Sequence, residues 1–190
     1  TQRKQETYGY DLCINQQEKL SVGTDNMKNF GYAALSQIYH ELGLHTFLTN
    51  RQRHSKEQYD ANTIMKMLVY SRLLFPASKK SSYDDREHFF EKTDYSLDDV
   101  YLCLSFLHKH KENLQVWLND RIKENYGRDT SLIYYDVTNY YFETDEPNDF
   151  LRKGVCKEYR PNPIVQMGLF IDNKGIPITY ELFPGNTNDC

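Results

Sequence analysis

Apolar residues between about residue 26 and residue 125 recur at helical spacing, whereas after residue 130 they gather into short β-branched and aromatic runs. The spacing predicts a first helix over about Asn26–Leu42, with Asp25 as its cap. Ala33, Leu35, Ile38, Tyr39 and Leu42 form its apolar face, and Gly43 is the natural stop. Thr49–His54 reads as a basic connector, and Ser55-Lys56-Glu57-Gln58 has the form of a capping box. The helix behind that box carries Ile64, Met67, Leu68 and Leu74 and is broken by Pro76. Pro76–Ser81 opens a short helix through Phe89 and Phe90. Ser96-Leu97-Asp98-Asp99 is a further capping signature. After it, Val100, Leu104, Leu107, Leu114, Leu118 and Ile122 cover two helices or one long one, with His108-Lys109-His110-Lys111 at the join. Tyr126–Asp129 closes the helical part.

Three strands are expected next, over Leu132–Val137, Pro163–Ile171 and Ile176–Phe183. Asn173-Lys174-Gly175 joins the last two as a tight hairpin, and Glu143–Pro161 is a polar, charged loop. The polar stretch 1–24 adds a weak strand signal near Tyr8–Ile14. The expected fold class is mixed α+β, with an all-helical region over residues 1–125 and the start of a mixed α/β domain over residues 126–190.

Charge sharpens that division. Residues 126–190 hold 6 Lys/Arg and 10 Asp/Glu, while residues 1–125 hold 17 of each, so the second part carries the whole formal charge of −4. This balance argues against a histone-like or tail-mediated DNA binder, but it leaves room for local basic clusters and for acidic metal sites. The 16 tyrosines fill strands and half-buried helix faces, and tyrosine can also stack on bases. Cys13, Cys103, Cys156 and Cys190 show no C-x-x-C spacing, which reads as free thiols in a reducing cytosol. No apolar run is long enough to span a bilayer, and no membrane partner is expected. The first residue is Thr1 and the last is Cys190, and both ends look cut, so a fragment is expected.

The residue that draws attention is Asp136, carried by a β-rich run into a Thr/Asn/aromatic segment. Alternation puts Leu132, Tyr134 and Asp136 on one face and Ile133, Tyr135 and Val137 on the other. A carboxylate at the end of a buried strand is costly unless it is paired or holds a metal. From position alone, a turn residue capping the next segment is an equal reading.

The surrounding segments resemble a known family. Tyr135-Asp136-Val137-Thr138, followed by Tyr141-Phe142-Glu143, looks like the first-Asp segment of DDE transposases from bacterial insertion sequences, in the insertion-sequence-four group. Gly154-Val155-Cys156-Lys157-Glu158-Tyr159-Arg160-Pro161 is similar to that family's small-residue, Lys, aromatic, Arg-Pro segment. Gln166-Met167-Gly168-Leu169, Gly175-Ile176-Pro177-Ile178 and Phe183–Asp189 follow in the family's order and spacing. Leu42-Gly43-Leu44, the Arg72…Pro76-Ala77-Ser78-Lys79 segment and the Val100–Leu107 helix look, more loosely, like its helical DNA-binding region.

The resemblance implies an RNase H-like core whose first three strands lie in residues 126–190. It also implies a helical region in residues 1–125 that binds DNA ends. Asp136 would be a catalytic carboxylate and ligand to two divalent ions, Mg²⁺ or Mn²⁺, which activate a water or a 3′-hydroxyl and stabilise the leaving oxygen. Lys157, Arg160 and Lys79 would contact DNA, and Tyr159 would stack or pack. The implied partners are double-stranded DNA, as transposon ends and target, and further copies of the chain assembled on it. The implied location is the bacterial cytoplasm, on the nucleoid.

The sequence departs from the family in one respect. The second Asp and the Glu are not found in these 190 residues, so the chain is expected to be inactive as it stands. Asp189 reads as a turn or N-cap residue, and Glu143 as a solvated loop carboxylate. His108-Lys109-His110-Lys111 and Arg51-Gln52-Arg53-His54 are candidate backbone contacts or ordinary solvated faces. Two other readings stay open: a non-catalytic DNA-binding or regulatory remnant of a transposase, and a structural α/β protein in which Asp136 is a turn residue.

Overall fold

The computed structural model describes residues 29–89, 91, 93–143, 148–154 and 162–187. Among the described residues six α-helices, one 3₁₀ turn and three strands follow in order. α1 (Tyr32–Glu41) and α2 (Leu44–Gln52) meet at Gly43, whose φ of 63° stops the first helix and starts the second. The second half of α2, from Thr49, occupies ground expected to be connector. In the first half Leu44, Phe47 and Leu48 recur at helical spacing and are all buried, and this packing makes the helix despite the polar run behind it.

α3 (Ala61–Leu74) starts later than the capping-box reading placed it. Asp60 is the cap, its side chain accepting the amides of Asn62 and Thr63, while Ser55 Oγ takes the Glu57 amide in a local turn. A short helix α4 (Lys79–Asp84) follows, capped by Ser78, and then a single 3₁₀ turn, Arg86–His88. The region expected as one helix through Phe89 is therefore broken at Asp85. α5 (Leu97–Lys109) has the expected cap at Ser96, where Asp99 completes a full capping box. Those hydrogen bonds from Ser96 hold the Asp99 carboxyl below its ordinary pKa. α6 (Lys111–Tyr126) follows after His110, so the long apolar pattern is two helices.

The helical core is one cluster that includes Phe47, Leu48, Ile64, Met67, Val100, Cys103 and Phe106. Burial pushes the Cys103 thiol up to about 12, which leaves it protonated and unreactive. Of the apolar face expected on the first helix, Tyr39 is buried and Leu35 and Leu42 are half-buried, whereas Ala33 and Ile38 are exposed. Tyr39 meets Tyr70 edge-on and donates to Asn62 Oδ1 at 3.0 Å. The expected cap Asp25, the expected helix start at Asn26 and the weak strand signal at Tyr8–Ile14 lie outside the described residues.

β1 (Ile133–Tyr141), β2 (Ile164–Asp172) and β3 (Pro177–Pro184) form an antiparallel sheet in the order β1-β2-β3. The chain is thus mixed α+β, a helical region followed by a three-stranded antiparallel sheet. β1 runs four residues beyond its expected end at Val137, which puts Asp136 inside the strand. The hairpin between β2 and β3 closes through Asp172. The Asp172 amide donates to Ile176 O, its Oδ1 accepts the amides of Lys174 and Ile176 at 2.9 Å, and Gly175 takes a φ of 77°.

α6 joins the two parts. Its Trp117 Nε1 donates to Leu42 O at 2.9 Å on the helical side. On the sheet side Gln115 and Asn119 donate to Tyr180 O and Ile178 O, and Lys111 pairs with Glu181 at 2.9 Å.

Candidate functional site

Asp136 is the fourth residue of β1, opposite Leu169 on β2, with Tyr180 next in the row on β3. Tyr134 and Thr138 flank it on the same face. Its backbone is in the ladder, so it is not a turn residue and caps no helix. It is also exposed, as are Ile133, Tyr134 and Tyr135. The premise of a buried strand end therefore fails, and no burial penalty forces this carboxylate to find a partner. Among the described residues no side chain pairs with it, which leaves both carboxylate oxygens open to a ligand.

A single carboxylate is a hard oxygen donor suited to Mg²⁺ or Mn²⁺, but two ions need more ligands than one side chain supplies. Among the described residues no three His, Cys, Asp or Glu side chains converge. The described donor set by itself does not fit a two-metal site, and no reaction step is derived through one. Glu143 is exposed just beyond β1. Asp189, Lys157, Tyr159 and Arg160 lie outside the described residues. Lys79 is exposed at the start of α4, which packs on α3 and α5, far in the fold order from β1.

Segments that the sequence sets apart do meet around the sheet. Arg152 bridges Ile164 in both directions, at 3.3 and 2.9 Å, and this draws Gly154 onto the turn after β3. A Cβ on Gly154 would lie 1.6 Å from Gly185 O, so the two backbones touch only because residue 154 is glycine, while a Cβ on Gly185 would meet Ile164 O at 2.2 Å and Arg152 O at 2.4 Å. Gly168 lies under the Tyr135 ring, where a Cβ would meet the hydroxyl at 2.7 Å.

The strongest electrostatic feature was not read from the sequence. Asp172 is fully buried, and Arg128 Nη1 lies 3.5 Å from its Oδ2 with only 5% of the arginine side chain exposed. Arg128 also donates to Ile176 O and Pro177 O. Asp129 accepts from Ser131 and Asn173, and Lys174 Nζ donates to Gly127 O at 3.0 Å. The segment after α6 is thereby stapled to the β2–β3 hairpin. The signal for the hairpin half was the Asp-Asn-Lys-Gly order, in which Asp favours a side-chain-to-backbone turn. Nothing local marked Arg128 as its partner.

No family model, no curated protein and no solved structure matches the chain.

Proposed function

We propose that these residues are the helical region and early catalytic core of a DDE transposase with an RNase H-like fold. The intact enzyme would cleave and join DNA at insertion-sequence ends using two Mg²⁺ or Mn²⁺ ions. The observation that carries the reading is Asp136: an exposed carboxylate without a described partner, in the first strand of an antiparallel β1-β2-β3 sheet. The family-like segments around it support the reading by their order, and two of them touch at Gly154 and Gly185. Asp136 is assigned as a shared metal ligand, and α1–α6 as the part that holds DNA.

Under this reading the 190 residues hold one of three required carboxylates, and alone they do not cut DNA. The test uses supercoiled plasmid and labelled element-end duplexes with Mg²⁺ or Mn²⁺. The 190-residue chain is expected to show no cleavage or transfer. A protein that carries these residues together with the second Asp and the Glu is expected to be active. In that protein Asp136→Ala abolishes strand transfer and leaves DNA binding unchanged. Strand transfer retained in Asp136→Ala overturns the assignment.

A further inference from the structure

The two basic clusters, 51–54 and 108–111, are remote in sequence, yet the fold brings them to one groove. Arg51 in the last turn of α2, His54 just after it, and Lys109 and His110 at the end of α5 line a surface groove of about 360 Å³. Ser55 and Ser105 add hydroxyls, Leu102 and Phe106 add apolar surface, and Glu57 is the one carboxylate in the lining. Arg51, His54 and Lys109 are exposed.

Cations at helix C-termini often serve the helix dipole. Here neither Arg51 nor Lys109 hydrogen-bonds to a carbonyl or carboxylate among the described residues, and Arg51 lies over the Phe47 ring, 5.4 Å from its centroid. The guanidinium and ammonium donors are therefore directed at solvent. Their charges also act on one another. The His110 imidazole is held below its ordinary pKa first by burial and then by Arg51 and Lys109. Cations gathered around one groove, with two hydroxyls and a single carboxylate in its lining, are arranged for a multiply accepting anion.

We propose that this groove binds the phosphodiester backbone of duplex DNA, with Arg51 and Lys109 each neutralising a phosphate and Ser55 and Ser105 donating to its oxygens. The choice of DNA over another polyanion rests on the transposase reading. The groove itself rests on the convergence of the two clusters. It is separate from Asp136, which lies on the sheet.

The test is fluorescence anisotropy of a labelled DNA duplex against the 190-residue chain across a salt series. Each phosphate contact contributes about 0.9 to the slope of log K against log salt. The double variant Arg51→Ala/Lys109→Ala is expected to bind at least about tenfold more weakly at low salt and to reduce that slope by about 2. Lys174→Ala, a cation on the β2–β3 hairpin outside the helical part, and Asp136→Ala are expected to bind as the parent does. Arg51→Lys is expected to keep most of the affinity, which separates lost charge from a folding defect read by circular dichroism. An unchanged slope in the double variant overturns the proposal. So does a groove that takes inorganic phosphate but no duplex, or one that prefers anionic vesicles to DNA. Binding is read without divalent metal, so failure of the groove proposal is separate from failure of the metal-ligand assignment, which the strand-transfer assay of Asp136→Ala reads.

Discussion

Along the outer edge of β3, the carbonyls of Ile178 and Tyr180 accept from Asn119 and Gln115, and those of Ile176 and Pro177 accept from Arg128. Along the outer edge of β1, no strand pairs among the described residues. One edge is closed by α6 and the segment after it, while the other presents Ile133, Tyr134 and Tyr135 to solvent around a single carboxylate. A long, exposed, aromatic edge strand invites pairing with other chains, and a charge within it opposes that. Asp136 has that effect whatever else it does. The contrast is one of surroundings: the ionic groups at the closed edge hold the fold, and the one at the open edge has no partner among the described residues.

Several substitutions test this contrast. The largest effect belongs to Arg128→Ala. It leaves the Asp172 carboxylate buried without its counter-charge and removes two donors from the β3 edge. Breaking a buried pair in this way typically costs about 3–5 kcal/mol, readable as a shift in the urea unfolding midpoint. A loss under about 1 kcal/mol would mean that the closed edge is not held electrostatically. Next is Gln115→Ala/Asn119→Ala, which frees the Tyr180 and Ile178 carbonyls. At about 0.5–1.5 kcal/mol per hydrogen bond, the double variant is expected to lose about 1–3 kcal/mol without a change of fold by circular dichroism.

The smallest effect is a dependence on pH at the same edge. The hydrogen bond from Lys111 holds the Glu181 carboxyl below its ordinary value of 4.5. The folded chain therefore binds fewer protons there than the unfolded one. The contribution is fully present above the ordinary value and is lost as pH falls through the lowered one. Because Glu181 is largely exposed, its size is about 0.5 kcal/mol, seen as the difference in acid stability between the parent and Lys111→Met.

Much of this arrangement was legible in the sequence, because local chemistry fixed it. Ser96 and Asp99 announce a capping box, Gly43 announces a stop, and Asn173-Lys174-Gly175 announces a hairpin. What was not legible depends on contacts across the fold. The helix at Leu44–Gln52 forms because three apolar residues reach the core. Asp60 displaces Ser55 as a cap because its carboxylate meets two amides at once. The exposure of Asp136 could not be read from alternation, since a period of two assigns faces and does not say whether either face is covered. The Arg128–Asp172 pair spans two elements with no sequence pattern linking them. Of the candidate site, the position of Asp136 on a strand was legible, and the metal partners implied by the resemblance were not.

The most direct test of the central assignment is Mn²⁺ titration of a ¹⁵N-labelled protein that carries these residues together with the second Asp and the Glu, followed by paramagnetic broadening of its amide signals. Asp136→Asn keeps the shape of the side chain and removes its charge. Its position is exposed, so its stability is expected to stay within about 0.5 kcal/mol of the parent. If Asp136 is the metal ligand, the signals of Asp136 and its cross-strand neighbour Leu169 broaden first in the parent and remain sharp in Asp136→Asn. The same broadening in both proteins would contradict the assignment and leave Asp136 as a solvated charge on an open edge.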